Sequence, residues 1–98
     1  MAEIFTRYDS AEYLKTEADI AAYFEAALEL AQAEDDPAFL LKAMGVIART
    51  RNMTQLAKNS GISREGLYKA LSGDGNPSFF TVMKLVRALG IKLHAEAA

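Results

Sequence analysis

The chain has 98 residues, enough for one domain with a single modest core, and 51% of them are hydrophobic. It has no cysteine, which excludes disulfides and thiolate metal sites and is compatible with a reducing cytoplasm. The net charge of −2 conceals an asymmetry: residues 1–41 carry two basic and ten acidic side chains, a balance of −8, and residues 42–98 carry nine basic and three acidic ones, a balance of +6.

Met1-Ala2-Glu3-Ile4-Phe5 has neither the basic start nor the apolar run of a secretory signal. Charges such as Lys42 and Lys84 interrupt every apolar stretch, so no membrane span is expected. The expected location is the cytoplasm. A basic half suits phosphate, and an acidic half suits a basic protein partner.

The elements read as all helix. A short helix is expected after Asp9 or Ser10, with Asp9 and Glu12 in capping-box spacing. The next runs from Glu17 to Ala33 with Thr16 as N-cap. Its Ile20, Tyr23, Phe24, Ala27, Leu28 and Ala31 recur at helical spacing and form one apolar stripe. This stripe has two candidate destinations, a basic partner protein or the following helix.

Asp36 caps a helix that has Pro37 in its first turn, where no N–H is needed, and that runs to about Arg51. Phe39, Leu40, Ala43, Met44, Ile47 and Ala48 would line its buried side. Gly45 inside it costs roughly 1 kcal/mol relative to alanine.

Thr54 is placed as the cap of a short helix and Ser63 as the cap of another, which ends near Ser72. Gly73-Asp74-Gly75-Asn76-Pro77 is a cluster of turn formers. Ser78 caps a last helix through Leu89, with Gly90 as its C′ residue. That helix carries Phe79, Phe80, Val82, Met83, Leu85, Val86 and Leu89, more apolar surface than a small core absorbs. The excess, with Ile91 and Leu93, suits a dimer face. The fold class expected is all-α, a small helical bundle, with residues 1–36 an acidic helical region and 37–98 the second region of one compact unit.

Met53 to Leu71 has the spacing of two helices crossing at a tight turn. Ala57 is small enough to be crossed closely, and Gly61 tolerates the positive φ of the turn. Leu67 points back into the angle, and Leu56, Ile62 and Ala70 fill the other inward positions. At about 100° per residue, Arg64, Tyr68, Ser72, Glu65 and Lys69 share one arc of the second helix, with Gly66, Ala70, Leu67 and Leu71 on the other.

The polar arc is chemically fit for a major groove. Arg64 can fork onto guanine O6 and N7. Tyr68 can touch a thymine methyl or a phosphate, and Lys69 a base or a phosphate. Thr54, Gln55 and Ser63 stand at helix starts, where backbone N–H groups and side chains grip phosphate. Glu65 either accepts from cytosine N4 or complements the positive helix N-terminus. The one histidine, His94, has no carboxylate or nucleophile beside it in the sequence pattern. No metal-ligand cluster or phosphate-cradling glycine loop is visible. Neither catalysis nor a cofactor is expected.

The run Ile47-Ala48-Arg49 through Met53-Thr54-Gln55-Leu56-Ala57, then Gly61 to Leu71, Gly75-Asn76-Pro77-Ser78-Phe79 and Leu89-Gly90-Ile91-Lys92-Leu93, resembles the addiction-module antidote proteins. Ala11-Glu12-Tyr13-Leu14 and Ile20-Ala21-Ala22-Tyr23 extend the resemblance over nearly the whole chain. These are bacterial antitoxins, broadly of the HigA type. The resemblance implies a lambda-repressor-like (Cro/repressor) helix-turn-helix with extra N-terminal helices. It implies repression of the module's own operon by a homodimer on a palindromic operator in double-stranded DNA. It also implies a cognate small basic toxin of the RelE/ParE type. The alternatives are a stand-alone transcriptional regulator and a helical protein-interaction adaptor.

Overall fold

The computed structural model describes residues 14–72 and 75–98. Five helices follow one another: α1 (Glu17–Ala33), α2 (Pro37–Ala48), α3 (Met53–Ser60), α4 (Arg64–Leu71) and α5 (Phe79–Ala88). Among the described residues there is no strand, and no helix is long and apolar enough to cross a membrane. The short helix expected after Asp9 or Ser10 lies outside the described residues, as do Gly73 and Asp74 of the turn cluster.

Each helix starts where a side-chain oxygen meets backbone N–H groups that have no partner within the helix. Thr16 and Asp19 make a reciprocal capping box on α1: Asp19 N–H donates to Thr16 Oγ1 at 3.0 Å, and Thr16 N–H donates to Asp19 Oδ2 at 3.1 Å. Asp36 accepts from Phe39 N–H at 3.3 Å above Pro37. Ser63 and Ser78 cap α4 and α5.

The start of α3 differs from the sequence expectation. Its N-cap is Asn52, whose Oδ1 accepts from Gln55 N–H at 3.0 Å, so Thr54 is not the cap and lies in the first turn. Asparagine is at least as good a cap as threonine. Here it stands two residues earlier and starts the helix at Met53. The α-helical part of α2 closes at Ala48 rather than near Arg51. Thr50 and Arg51 N–H groups then donate to Ile47 and Ala48 carbonyls at 2.9 Å each, so a tighter turn carries the chain on.

The helix ends are equally local. After α5, Gly90 adopts φ +82°, its N–H donates to Arg87 O and Ile91 N–H donates to Val86 O, a Schellman closure. After α1 the same closure forms with Asp35 at φ +54°, its N–H on Gln32 O and Asp36 N–H on Ala31 O. Aspartate tolerates the left-handed region better than most residues with a side chain.

One core cluster draws on all five helices. It includes Ile20, Tyr23, Phe24 and Ala27 of α1, Leu41, Ala43, Met44, Ile47 and Ala48 of α2, Leu56 of α3, Leu67, Ala70 and Leu71 of α4, and Leu85 and Val86 of α5. Helix α1 lies along α2, α2 meets α4, and α3 packs on both α4 and α5. Leu41 is a core residue the sequence pattern missed, while Phe39 and Leu40 are only partly buried.

The α1 stripe therefore has its destination. Ile20, Tyr23 and Phe24 are buried in the shared core and Leu28 packs against it, so these side chains cannot supply lasting affinity for a separate partner. Burying them against α2 removes them from water within the chain itself.

Arg51 ties three parts of the fold together. Its Nη1 and Nη2 donate to Glu17 Oε2 and Oε1 at 3.4 and 3.2 Å, and Nη2 also donates to the Leu89 carbonyl at 3.1 Å. One guanidinium thus joins the start of α1, the α2–α3 connection and the end of α5.

Candidate nucleic-acid interface

The candidate surface is built from α3, the turn Gly61-Ile62-Ser63, and α4. Helix α3 ends on Gly61, which adopts φ +74° while its N–H donates to Ala57 O at 2.9 Å. A residue with a Cβ is strained in that conformation. Buried Ser60 then donates through Oγ to Ala57 O at 3.3 Å and accepts from Ile62 N–H at 3.2 Å. Two hydrogen bonds from one side chain fix the exit of the turn.

Ser63 Oγ accepts from Gly66 N–H at 3.0 Å and starts α4. A Cβ on Gly66 would sit 3.0 Å from Ile62 Cγ2 and 3.2 Å from Ser63 Oγ. Glycine here is a consequence of a crowded turn. The sequence offered a signal in the unusual placement of glycine within a helix, but no partner to explain it.

The same logic holds on the far side of α4. A Cβ on Gly45 of α2 would stand 3.2 Å from the Leu71 carbonyl oxygen. The backbone of α4 is thus held so close to α2 that a Cβ at this position would have to push it away by a few tenths of an ångström. Leu67 is 0% exposed, Ala70 and Leu71 are buried beside it, and Ala57 and Ile62 pack partly against the same cluster.

With that side fixed inward, the other side of α4 faces solvent. Arg64, Glu65, Tyr68 and Lys69 are all exposed, Tyr68 at 57%. Ser63 is exposed as well, with its hydroxyl engaged in the cap. Thr54 and Gln55 are exposed on α3, and Gln55 Nε2 donates to Asn59 Oδ1 at 3.1 Å. Asn52 and Asn59 extend this polar surface and were missed in the sequence. A shallow cleft beside it is lined by Arg51, Asn52, Gln55, Leu56, Asn59 and Ala88. Of the basic side chains nearby, Arg51 is committed to Glu17 and Leu89, whereas Arg64 and Lys69 project from the polar arc.

This arrangement offers a fork of donors at Arg64, an ammonium at Lys69 and an amphipathic ring at Tyr68, all carried on a rigidly backed helix. Such groups bind phosphate and base edges. Among the described residues no cluster of His, Cys, Asp or Glu could hold a metal ion.

Comparison with known proteins gives two findings. Residues 4–97 match the family described as "Probable addiction module antidote protein". A protein of Haemophilus influenzae (strain Rd), described as uncharacterized, is 48% identical over 96 residues, covering 98% of this chain and 95% of that protein. No solved structure matches the chain.

Proposed function

We propose that this chain, which belongs to the family of addiction-module antidote proteins, performs its antitoxin role through two surfaces. One is a helix-turn-helix formed by α3 and α4 that binds operator DNA. The other is the acidic N-terminal half, which meets a cognate basic toxin of the RelE/ParE kind. The observation that carries the DNA reading is the two-sided nature of α4. Leu67, Ala70 and Leu71 are buried, and Arg64, Tyr68 and Lys69 stand out together on the opposite face.

In this reading α4 enters the major groove of a palindrome at the module's own promoter. Two copies bind half-sites about one helical turn apart. Arg64 reads guanine, Lys69 and Tyr68 hold backbone or base, and Thr54, Gln55 and Ser63 position the head on phosphates. Glu65, in the first turn of α4, complements the helix N-terminus. Residues 1–36, with their excess of carboxylates, repel DNA and draw the toxin. The outward residues Glu25 and Glu29 act by steering, since the apolar side of α1 is spent on the core. None of this requires catalysis by the chain.

Fluorescence anisotropy with a labelled fragment of the upstream region tests the DNA reading. Arg64→Ala is expected to weaken binding by ~1–3 kcal/mol and to relax the preference at one base position. Affinity is expected to fall steeply with salt as Lys and Arg displace counterions. Equal binding by the wild type and an Arg64→Ala/Lys69→Ala variant at fixed salt refutes it.

A further inference from the structure

Arg51 sits where the two-helix reading head joins the rest of the fold, immediately before the Asn52 cap of α3. Together with Asn52, Gln55 and Asn59 it lines the shallow cleft, which Leu56 and Ala88 complete. The hydrogen bonds made inside this cleft leave it with more side-chain donors than acceptors. Asn52 Oδ1 accepts from Gln55 N–H, and Asn59 Oδ1 accepts from Gln55 Nε2. Both asparagines thus spend their amide oxygens within the chain and keep their NH2 groups to donate. They do so beside a guanidinium, which has donors and no acceptor. Such a set is chemically suited to an anion.

The guanidinium already holds one, a carboxylate of the chain itself. Its Nη1 and Nη2 donate to the two oxygens of Glu17 at 3.4 and 3.2 Å, the two-point grip that arginine also makes on phosphate. Nη2 donates a second time, to the Leu89 carbonyl at 3.1 Å. The two attachments differ in permanence. The Glu17 side chain is 76% exposed, and an ion pair so open to water is worth at most about a fivefold preference and weakens with salt. The bond to Leu89 is partly buried, and Leu89 itself is buried at the end of α5. Glu17 is therefore the partner that leaves easily, and the Leu89 carbonyl is the one that stays.

We propose that Glu17 stands in for a DNA phosphate: on the operator Arg51 releases Glu17, keeps the Leu89 carbonyl, and holds a backbone phosphate in this cleft together with Asn52. This deepens the DNA reading and rests on it. Held at Leu89, the guanidinium stays turned toward the cleft when the carboxylate leaves, so little side-chain freedom is lost on gripping the phosphate. The exchange also makes Glu17 a brake. Every complex first breaks an ion pair within the chain, so the head binds DNA less tightly than its own contacts allow. Arg51 adds affinity and a salt-dependent term without reading sequence, because a phosphate is the same at every base pair.

The test is anisotropy with the full chain and the labelled upstream fragment over a series of salt concentrations. Glu17→Gln, Arg51→Gln and the double variant are compared, each checked for folding by circular dichroism. Glu17→Gln is expected to bind up to about fivefold tighter than the wild type. Arg51→Gln is expected to bind more weakly and to lower the slope of log affinity against log salt by about one, the loss of one phosphate contact. In the Arg51→Gln background, Glu17→Gln is expected to bring no gain. Equal gains with and without Arg51 mean that Glu17 only repels DNA at a distance, and they overturn the proposal. So does an unchanged slope in Arg51→Gln, since a merely structural clasp moves the melting midpoint and not the slope. Glu17→Gln that binds no tighter than the wild type overturns it too, and this exposed position stays informative even where Arg51→Gln does not fold. Binding that depends on Arg64 and Lys69 but meets any of these outcomes removes Arg51 from a reading head that still stands. A wild type that does not bind the fragment at all refutes both.

Discussion

Leu67 and Tyr68 are neighbours in sequence with opposite fates in the fold, and truncating each in turn separates stability from recognition. Leu67 is 0% exposed and belongs to the cluster shared by all five helices. Leu67→Ala removes a fully buried isobutyl group and leaves a cavity bounded by helices that cannot all relax together, costing about 2–5 kcal/mol. Natural domains of this size hold only about 5–15 kcal/mol in total. At roughly 4–8 °C per kcal/mol, the midpoint of a thermal melt falls by at least ~8 °C. Tyr68 is 57% exposed. Tyr68→Ala is expected to melt within ~0.5 kcal/mol of the wild type, as surface substitutions do. It is nonetheless expected to bind the upstream DNA fragment more weakly. The assay is a melt followed by circular dichroism for both variants, with anisotropy on Tyr68→Ala. If Leu67→Ala melts with the wild type, α4 does not bury the face described. If Tyr68→Ala melts lower than Leu67→Ala, the two faces are exchanged.

Gly45→Ala sets two effects against each other. Alanine favours the α2 helix by about 1 kcal/mol, but its Cβ would stand 3.2 Å from the Leu71 carbonyl, a backbone atom of α4. Overpacking of this kind costs about 1–3 kcal/mol. The variant is expected to be up to ~2 kcal/mol less stable in a denaturant titration and to bind DNA more weakly because α4 is displaced; a gain in stability contradicts the close crossing. Reversing the outward charges with Glu25→Lys/Glu29→Lys is expected to slow association with the toxin at low salt and to leave the thermal midpoint nearly unchanged. An unchanged association rate in stopped-flow mixing removes α1 from the encounter.

What could be read from the sequence was local. The caps at Thr16, Asp36, Ser63 and Ser78 and the glycines at 61 and 90 follow from bonds spanning a few residues, and the structure forms them. Among the described residues the one misplaced cap is Thr54: Asn52 competes for the same role two residues earlier, and the pattern contains both. Distant contacts were less legible. The stripe of Ile20, Tyr23 and Phe24 is visible as a period, but whether it meets α2 or another protein depends on residues far along the chain. Leu40 and Leu41 are adjacent and equally apolar, so the turn of α2 alone decides which is buried. The crowding at Gly45 and Gly66 is a matter of neighbours in space. The exposed arc of Arg64, Tyr68 and Lys69 was legible because its opposite face is so strongly apolar. The outward position of Phe79 and Phe80 was anticipated only as a surplus.

The Arg51 guanidinium has a mechanical meaning as well. By holding Glu17 and the Leu89 carbonyl at once, it adds a polar clasp at the rim of the core that already joins these helices. The ends of the two outer helices thus meet at one residue of the α2–α3 connection, while Arg64, Tyr68 and Lys69 stand on a helix that packs on α2 and α3.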